Sequence, residues 1–205
     1  MNTADRTTVG GVILAAGQSS RYESGNKLLA TIDGKAVVRH VAETACESSL
    51  SETVAVLGYE SVAVAETLAG LALEERDNDE YAAGQSTSVR HGVDYAQESG
   101  WDAALFLLGD MPFVRPGTIE RLIDTYRSGT ATIVAPGHDG QRGNPVLFDS
   151  RHFETLASVS GDRGGRELIE THDGAAVIEV ADPGIHRDID TESDLEEFSD
   201  RHSGL

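Results

Sequence analysis

Short apolar runs rich in Val, Ile and Leu alternate along this chain with longer stretches in which apolar residues recur every three or four positions. The first run, Val9–Leu14, reads as a buried strand with Gly17 just beyond it. Val37–Cys46 then predicts a helix, Thr53–Leu57 a strand, and Ser61–Leu71 a second helix with Val62, Leu68 and Leu71 as its apolar positions. A short strand follows near Leu73–Arg76. Ser86–Gln97 predicts a helix with Ser86, Thr87 and Ser88 as candidate N-caps, and Ala103–Leu108, which holds nothing polar, is the clearest strand. Pro116–Tyr126 opens on Pro-Gly and spaces Ile119, Leu122 and Ile123 as a helix does. Thr132–Ala135 and Pro145–Phe148 read as strands, Gly164–Glu170 as a short helix and Val177–Val180 as a strand. Thr191–Phe198 is the closing helix, capped by Thr191 with Asp194 three residues on.

Strands that alternate with helices and read as continuous apolar runs predict an α/β fold, a mostly parallel sheet covered on both faces. Such sheets place ligands at the carboxyl ends of their strands. A length of 205 residues suits one domain, 1–205, with 1–8 and 200–205 as flexible ends, and no repeat or interdomain linker interrupts it.

Charge changes the picture. Thirty-five acidic residues face 16 basic ones, only Lys27 and Lys35 being lysines, for a formal charge of −19 that would repel a nucleic-acid partner. The acids are scattered, as in Glu74–Glu80 and Asp188–Asp200, so the surface is a heavily solvated one; scarce lysine under an acidic coat is also similar to halophilic proteins of high-salt cytoplasms. No apolar run is long enough to cross a bilayer, and the residues MNTADRTTVGG lack the pattern of a secretion signal. Cys46 is the only cysteine, a buried structural thiol in a reducing, cytoplasmic setting.

Four segments carry candidate chemistry. After the first strand come Leu14, Ala15, Ala16, Gly17, Ser19, Ser20 and Arg21, then Asn26 and Lys27. Backbone N–H groups of a small-residue loop approach phosphates closely, and Arg and Lys supply charge; alone, the same turn also reads as an ordinary strand-to-helix connection. It is not a Walker A loop, since Leu28 follows Lys27, and no GxGxxG fingerprint follows Val9–Leu14. The second segment, Leu108-Gly109-Asp110-Met111-Pro112, sets a carboxylate just past the most apolar strand, as a ligand-facing group or as turn chemistry. The third, Arg187–Thr191, spaces Asp188 and Asp190 two apart before a capped helix; alone it also reads as a solvated acidic turn. Magnesium takes oxygen ligands and keeps water and substrate phosphate, so one carboxylate from each of two loops suffices, and Asp110 with Asp190 is the expected pair. The fourth, Gly84-Gln85-Ser86-Thr87-Ser88, opens a helix with donors for a sugar or base; Ser88 stands where a nucleophile elbow needs Gly. The seven histidines are dispersed and suggest no zinc site.

Together with Arg142–Phe148 (RGNPVLF), Gly161–Leu168 (GDRGGREL) and Asp188–Leu195 (DIDTESDL), these segments resemble the MobA-like NTP transferase family, in particular its molybdenum cofactor cytidylyltransferases. The resemblance runs from about Val12 to Phe198. It implies a three-layer α/β/α Rossmann-like nucleotidyltransferase fold and Mg²⁺-dependent transfer of CMP from CTP to a phosphorylated molybdopterin-type cofactor, with a molybdoenzyme apo-protein as a further partner. By it, Leu14–Arg21, Lys27, Gly84, Ser86, Ser88, Gly109 and Asp110 bind nucleotide; Arg21, Lys27 and Asp110 are catalytic; Asp110 and Asp190 hold the metal. Met111, Arg142, Gly143, Asn144 and Pro145, with the Gly161–Gly165 loop, border the second substrate. Ala15–Ala16 is similar to CTP-using members, whereas GTP-using relatives carry Gly-Gly. The chain departs from the family pattern at Arg21-Tyr22-Glu23, where Arg-Met-Gly is common. Rival readings are a guanylyltransferase, a sugar-phosphate or isoprenoid nucleotidyltransferase, and a non-catalytic cofactor carrier.

Overall fold

A computed structural model describes residues 7–158 and 164–202. The expected flexible ends fall mainly outside these residues, as do 161–163 of the Gly161–Gly165 loop. In chain order the strands are β1 (Val9–Ala15), β2 (Thr31–Ile32), β3 (Lys35–Ala36), β4 (Thr53–Leu57), β5 (Glu74–Asp77), β6 (Ala103–Leu108), β7 (Ile133–His138), β8 (Gln141–Arg142), β9 (Val146–Asp149) and β10 (Ala175–Glu179). The helices are α1 (Val37–Cys46), α2 (Ser61–Leu68), α3 (Gln85–Glu98), α4 (Pro116–Arg127), α5 (Phe153–Ser158), α6 (Gly164–Thr171) and α7 (Glu192–His202).

Seven strands form one sheet in the order β10-β7-β9-β6-β1-β4-β5, β8 pairs with β7, and β2 with β3 makes a separate hairpin. The β1–β4, β1–β6, β4–β5 and β7–β10 pairs are parallel. The sheet is therefore mixed rather than uniformly parallel: β9 runs antiparallel between β6 and β7. The cause is local, because Asp139 and Gly140, with φ of 51° and 75°, fold β7 back into β8 through a two-residue turn of the kind that closes hairpins.

Both faces are covered. Ile13, Ala55 and Leu105 point into a core shared with α1, α2 and α4. Val12, Val54 and Phe106, one position along each strand, enter a second core with Val93 and Ala96 of α3 and Phe153 and Leu156 of α5. Burial on both sides is why these strands read as unbroken apolar runs. The edge strand β5, Glu-Glu-Arg-Asp, is exposed and charged, which blunts edge-to-edge pairing.

Two element boundaries differ from expectation for reasons of backbone geometry. α2 stops at Leu68, not Leu71, because Ala69 turns extended (ψ 133°) and Gly70 takes φ 86°. α3 starts at Gln85, and its N-cap is Gly84 at φ 114°, with no side-chain cap bond. Thr87 and Ser88 are instead buried inside the first turn, where Asn78 Nδ2 donates to both hydroxyls at 2.9 and 3.0 Å.

Candidate active site

From β1 the chain steps outward to β4 and β5, then returns to β6 on the other side of β1. The carboxyl ends of β1 and β6 thus flank the point where winding reverses, which opens a crevice there. Gly109 N–H donates to the Leu14 carbonyl at 3.0 Å, keeping the two strands zipped to their ends. A Cβ on Gly109 would lie 2.9 Å from that carbonyl oxygen, so the close approach requires glycine. Just past this contact the Ala16–Arg21 loop and Asp110 diverge around the crevice.

The loop is fixed by two polar side chains. Ser19, at φ 53°, donates to Asn26 Oδ1 at 3.2 Å and accepts from Lys27 N–H at 3.1 Å. Asn26 is 6 % exposed; it also accepts from Leu28 N–H and donates to the Tyr59 carbonyl. These bonds hold Lys27 at the start of the 3-10 turn Lys27–Leu29 and aim it into the crevice.

The second carboxylate arrives from far along the chain. Ile189 N–H donates to the Asp110 carbonyl at 2.9 Å, and its fully buried side chain packs with Ile32 and Val37. Behind it, Asp194 Oδ2 accepts from Asp190 N–H, Thr191 N–H and Thr191 Oγ1, while Thr191 Oγ1 accepts from Asp194 N–H, the expected cap. Asp190 is thereby clamped between an anchored strand-like segment and a helix start.

Lys27 Nζ lies 2.6 Å from Asp110 Oδ2 and 2.7 Å from Asp190 Oδ1, and Arg21 Nη1 lies 2.7 Å from Asp190 Oδ2. Burial alone would lower the Lys27 pKa, but its ion pairs with Asp110 and Asp190 outweigh burial and hold it above the usual value. Partial burial, then the charges of Asp190 and Asp110, push the Asp188 carboxyl up. Asp110 Oδ1 is buried and makes no hydrogen bond among the described residues. A bare anionic oxygen beside a second carboxylate calls for a cation, and an all-oxygen donor set suits hard divalent ions such as Mg²⁺ or Mn²⁺. The residues present fit such an ion, which Asp110 and Asp190 could hold.

The crevice encloses about 280 Å³. One wall is Leu14 and Ala16–Arg21; the other is Tyr81, Ala82, Gly84, Gln85 and Ser88 at the N-terminal end of α3; Lys27, Asp110 and Asp190 form its floor. Of the expected nucleotide-binding residues, Leu14, Ala16, Gly17, Ser19, Ser20, Arg21, Lys27, Gly84, Ser88 and Asp110 meet here. Ala15, Ser86 and Gly109 do not line it; Ala15 is fully buried in the core behind. The expected second-substrate residues stand apart from this crevice. Met111, Asn144 and Pro145 border a small hollow with Val41 and Val114, and Gly143 is packed against Ile185. Met111 is 4 % exposed, which puts its side chain in the core rather than at an open surface.

Sequence reasoning missed two positioning residues, Asn78 and Asp182, and placed Asn26 in the phosphate loop without a role of its own. Asp182, 3 % exposed, accepts from Arg115 N–H and Thr118 Oγ1 at the start of α4 and from Gly184 N–H. A polar residue beside a turn signal was the available clue; its partners, up to 67 positions away, were not.

A small-residue loop, a lysine and two aspartates at the switch point of an α/β sheet define the nucleotidyltransferase class of site. The MobA-like NTP transferase domain matches residues 11–176, and the chain belongs to that family. Over 198 residues it is 29 % identical to nicotine blue oxidoreductase of Paenarthrobacter nicotinovorans, covering 93 % of this chain and 96 % of that protein. It superposes on Rv0371c of Mycobacterium tuberculosis with a TM-score of 0.80 at 24 % identity, over 95 % of this chain and 98 % of the other; a manganese complex of Rv0371c is among the similar structures. CMP-2-keto-3-deoxy-manno-octonic acid synthetase complexed with CTP shares the fold at 15 % identity, with a TM-score of 0.77 over 96 % of this chain and 99 % of that one.

Proposed function

We propose that the chain is a divalent-metal-dependent nucleotidyltransferase that transfers CMP from CTP to a phosphorylated molybdopterin-type cofactor. The observation that carries the reading is Lys27 held between Asp110 and Asp190 on the floor of a crevice walled by a small-residue loop. A terminal phosphate oxygen of the acceptor attacks the α-phosphorus of CTP, a new P–O bond forms, and pyrophosphate leaves with the electrons of the broken one. The nucleophile is already anionic and needs little general base. Lys27 and Arg21 neutralise the triphosphate, while Leu14–Arg21 and the start of α3 align it. Asp110 and Asp190 would hold a divalent ion such as Mg²⁺ or Mn²⁺, which would supply charge neutralisation for the phosphate oxygens. The Ala15–Ala16 pair is similar to that of CTP-using members of the family, which supports CTP over GTP. The acceptor, the cytoplasmic setting and the hand-over to a molybdoenzyme rest on the family resemblance.

The name of the Paenarthrobacter relative supports a second reading, oxidoreduction, because that match spans nearly the whole chain. Incubation with each of the four NTPs, Mg²⁺ and molybdopterin, with assay of pyrophosphate, separates the readings. Release with CTP and acceptor is expected. Release with GTP but not CTP would move the assignment to guanylyl transfer; no release with any NTP would leave the carrier and oxidoreductase readings in its place.

A further inference from the structure

Away from the crevice, the ends of β7 and β10 bring an imidazole and two carboxylates together. One ligand atom from each of His138, Asp139 and Glu179 falls within 4.8 Å of the other two. His138 is three-quarters buried. Its Nδ1 lies 2.9 Å from the Val180 carbonyl, which can only accept, so Nδ1 carries a proton and Nε2 is the ring nitrogen left to face Asp139. The nearest ion-pair partner of that nitrogen is Asp139 Oδ2 at 3.6 Å, itself an acceptor. A cation placed at this gap would be within reach of both atoms and of Glu179.

The frame is rigid. Asp139 is the first residue of the left-handed turn joining β7 to β8, and its N–H donates to Glu179 Oε1 at 3.0 Å, tying the turn to the neighbouring strand. A backbone carbonyl on the far nitrogen of a histidine fixes the tautomer and the ring orientation, as it does around metal-bound imidazoles.

We propose that His138, Asp139 and Glu179 form a second cation site, selective for a borderline transition ion such as Zn²⁺, Co²⁺ or Ni²⁺ rather than Mg²⁺. One nitrogen and two carboxylate donors favour that class, whereas the Asp110–Asp190 pair offers oxygen alone. The site lies beside the 3-10 turn Pro183–His186, which leads into the Asp188–Asp190 segment and whose Ile185 carbonyl accepts from Asn144 N–H. An ion here would add a further tie between the β7–β8 turn and the end of β10, which already meet through Asp139 N–H to Glu179 and Val180 N–H to the Gly137 carbonyl.

The test is a Zn²⁺ titration of the full chain by calorimetry in excess Mg²⁺, repeated on His138→Gln and Asp139→Asn. Asn tolerates the left-handed turn position, so the second variant keeps the fold even if the first does not. Co²⁺ in place of Zn²⁺ gives a visible absorption band that reports its ligands. The expected result is one Zn²⁺ per chain, affinity at least about tenfold weaker in either variant, and a Co²⁺ band altered in both. No Zn²⁺ bound under excess Mg²⁺, or the same affinity in wild type and both variants, would overturn the proposal.

Discussion

Lys27 occupies the point on which two carboxylates converge, and its removal leaves Asp110 and Asp190 facing each other without a protein cation between them. Lys27→Ala should therefore cost roughly 10²–10³-fold in the rate of NTP-dependent pyrophosphate release while the far-ultraviolet circular dichroism spectrum stays unchanged. Turnover within a factor of two of wild type would remove Lys27 from the reaction. At this scale much of the crevice was legible in the chain itself. Lys27, Asp110 and Asp190 are chemistry-bearing residues at the ends of predicted elements, and each could be singled out without knowing its neighbours. The positioning roles of Asn26 and Asn78 could not be read that way. Both are ordinary turn residues until folding brings Tyr59 to the first and the hydroxyls of Thr87 and Ser88 to the second. Met111, beside Asp110, is buried and lines a small hollow with Asn144 and Pro145, a placement that its position past β6 does not record.

Helix α4 has no local cap: Arg115 stands at its N-cap position and offers no acceptor there. Asp182 does that work from another element, accepting from Arg115 N–H at 2.9 Å and Thr118 Oγ1 at 2.6 Å. Asp182→Ala strands these buried donors and should lower unfolding free energy by about 2–3 kcal/mol, read by urea denaturation. A loss under about 0.5 kcal/mol would show the cap to be dispensable. The short turn before α5 carries a pH-dependent counterpart. His152 is buried, donates to or accepts from Thr132 Oγ1, and stands edge-on to His172. Burial first, and the His172 charge second, hold its pKa below the ordinary value. The unfolded chain then binds this proton more readily, so the contribution of neutral His152 is intact above about pH 6.5 and is lost as pH falls toward its folded pKa. The stability advantage of wild type over His152→Gln should shrink between pH 7.5 and 5.5; a constant difference would contradict this. Elements with a long apolar period, such as α1, α4 and β6, were readable from sequence. The two-residue strands β2, β3 and β8 were not, because so few residues carry no period, and the direction of β9 depends on a hairpin turn that apolar patterning does not record.

At the scale of the whole molecule, 35 acidic against 16 basic residues leave a surface that repels itself in dilute buffer. Raising NaCl from 0.1 to 2 M shortens the Debye length from about 10 Å to under about 3 Å and should raise Tm by several degrees, the behaviour of an acidic coat adapted to high salt. An unchanged or falling Tm would detach the charge from any such adaptation. The layered architecture was foreseeable, since alternation of strand and helix leaves few ways to cover a sheet, and no helix among the described residues is long and apolar enough to cross a membrane. That same sheet order sets β1 beside β6, and so makes one site of residues 83 and 163 positions apart from Lys27.

That juxtaposition is most directly tested by counting Mn²⁺ ions bound in the presence of a non-hydrolysable CTP analogue, using electron paramagnetic resonance of the free ion. The account predicts one tightly held Mn²⁺ per wild-type chain that is lost when Asp110 and Asp190 are both replaced by asparagine. Equal Mn²⁺ binding by wild type and the double variant would contradict it.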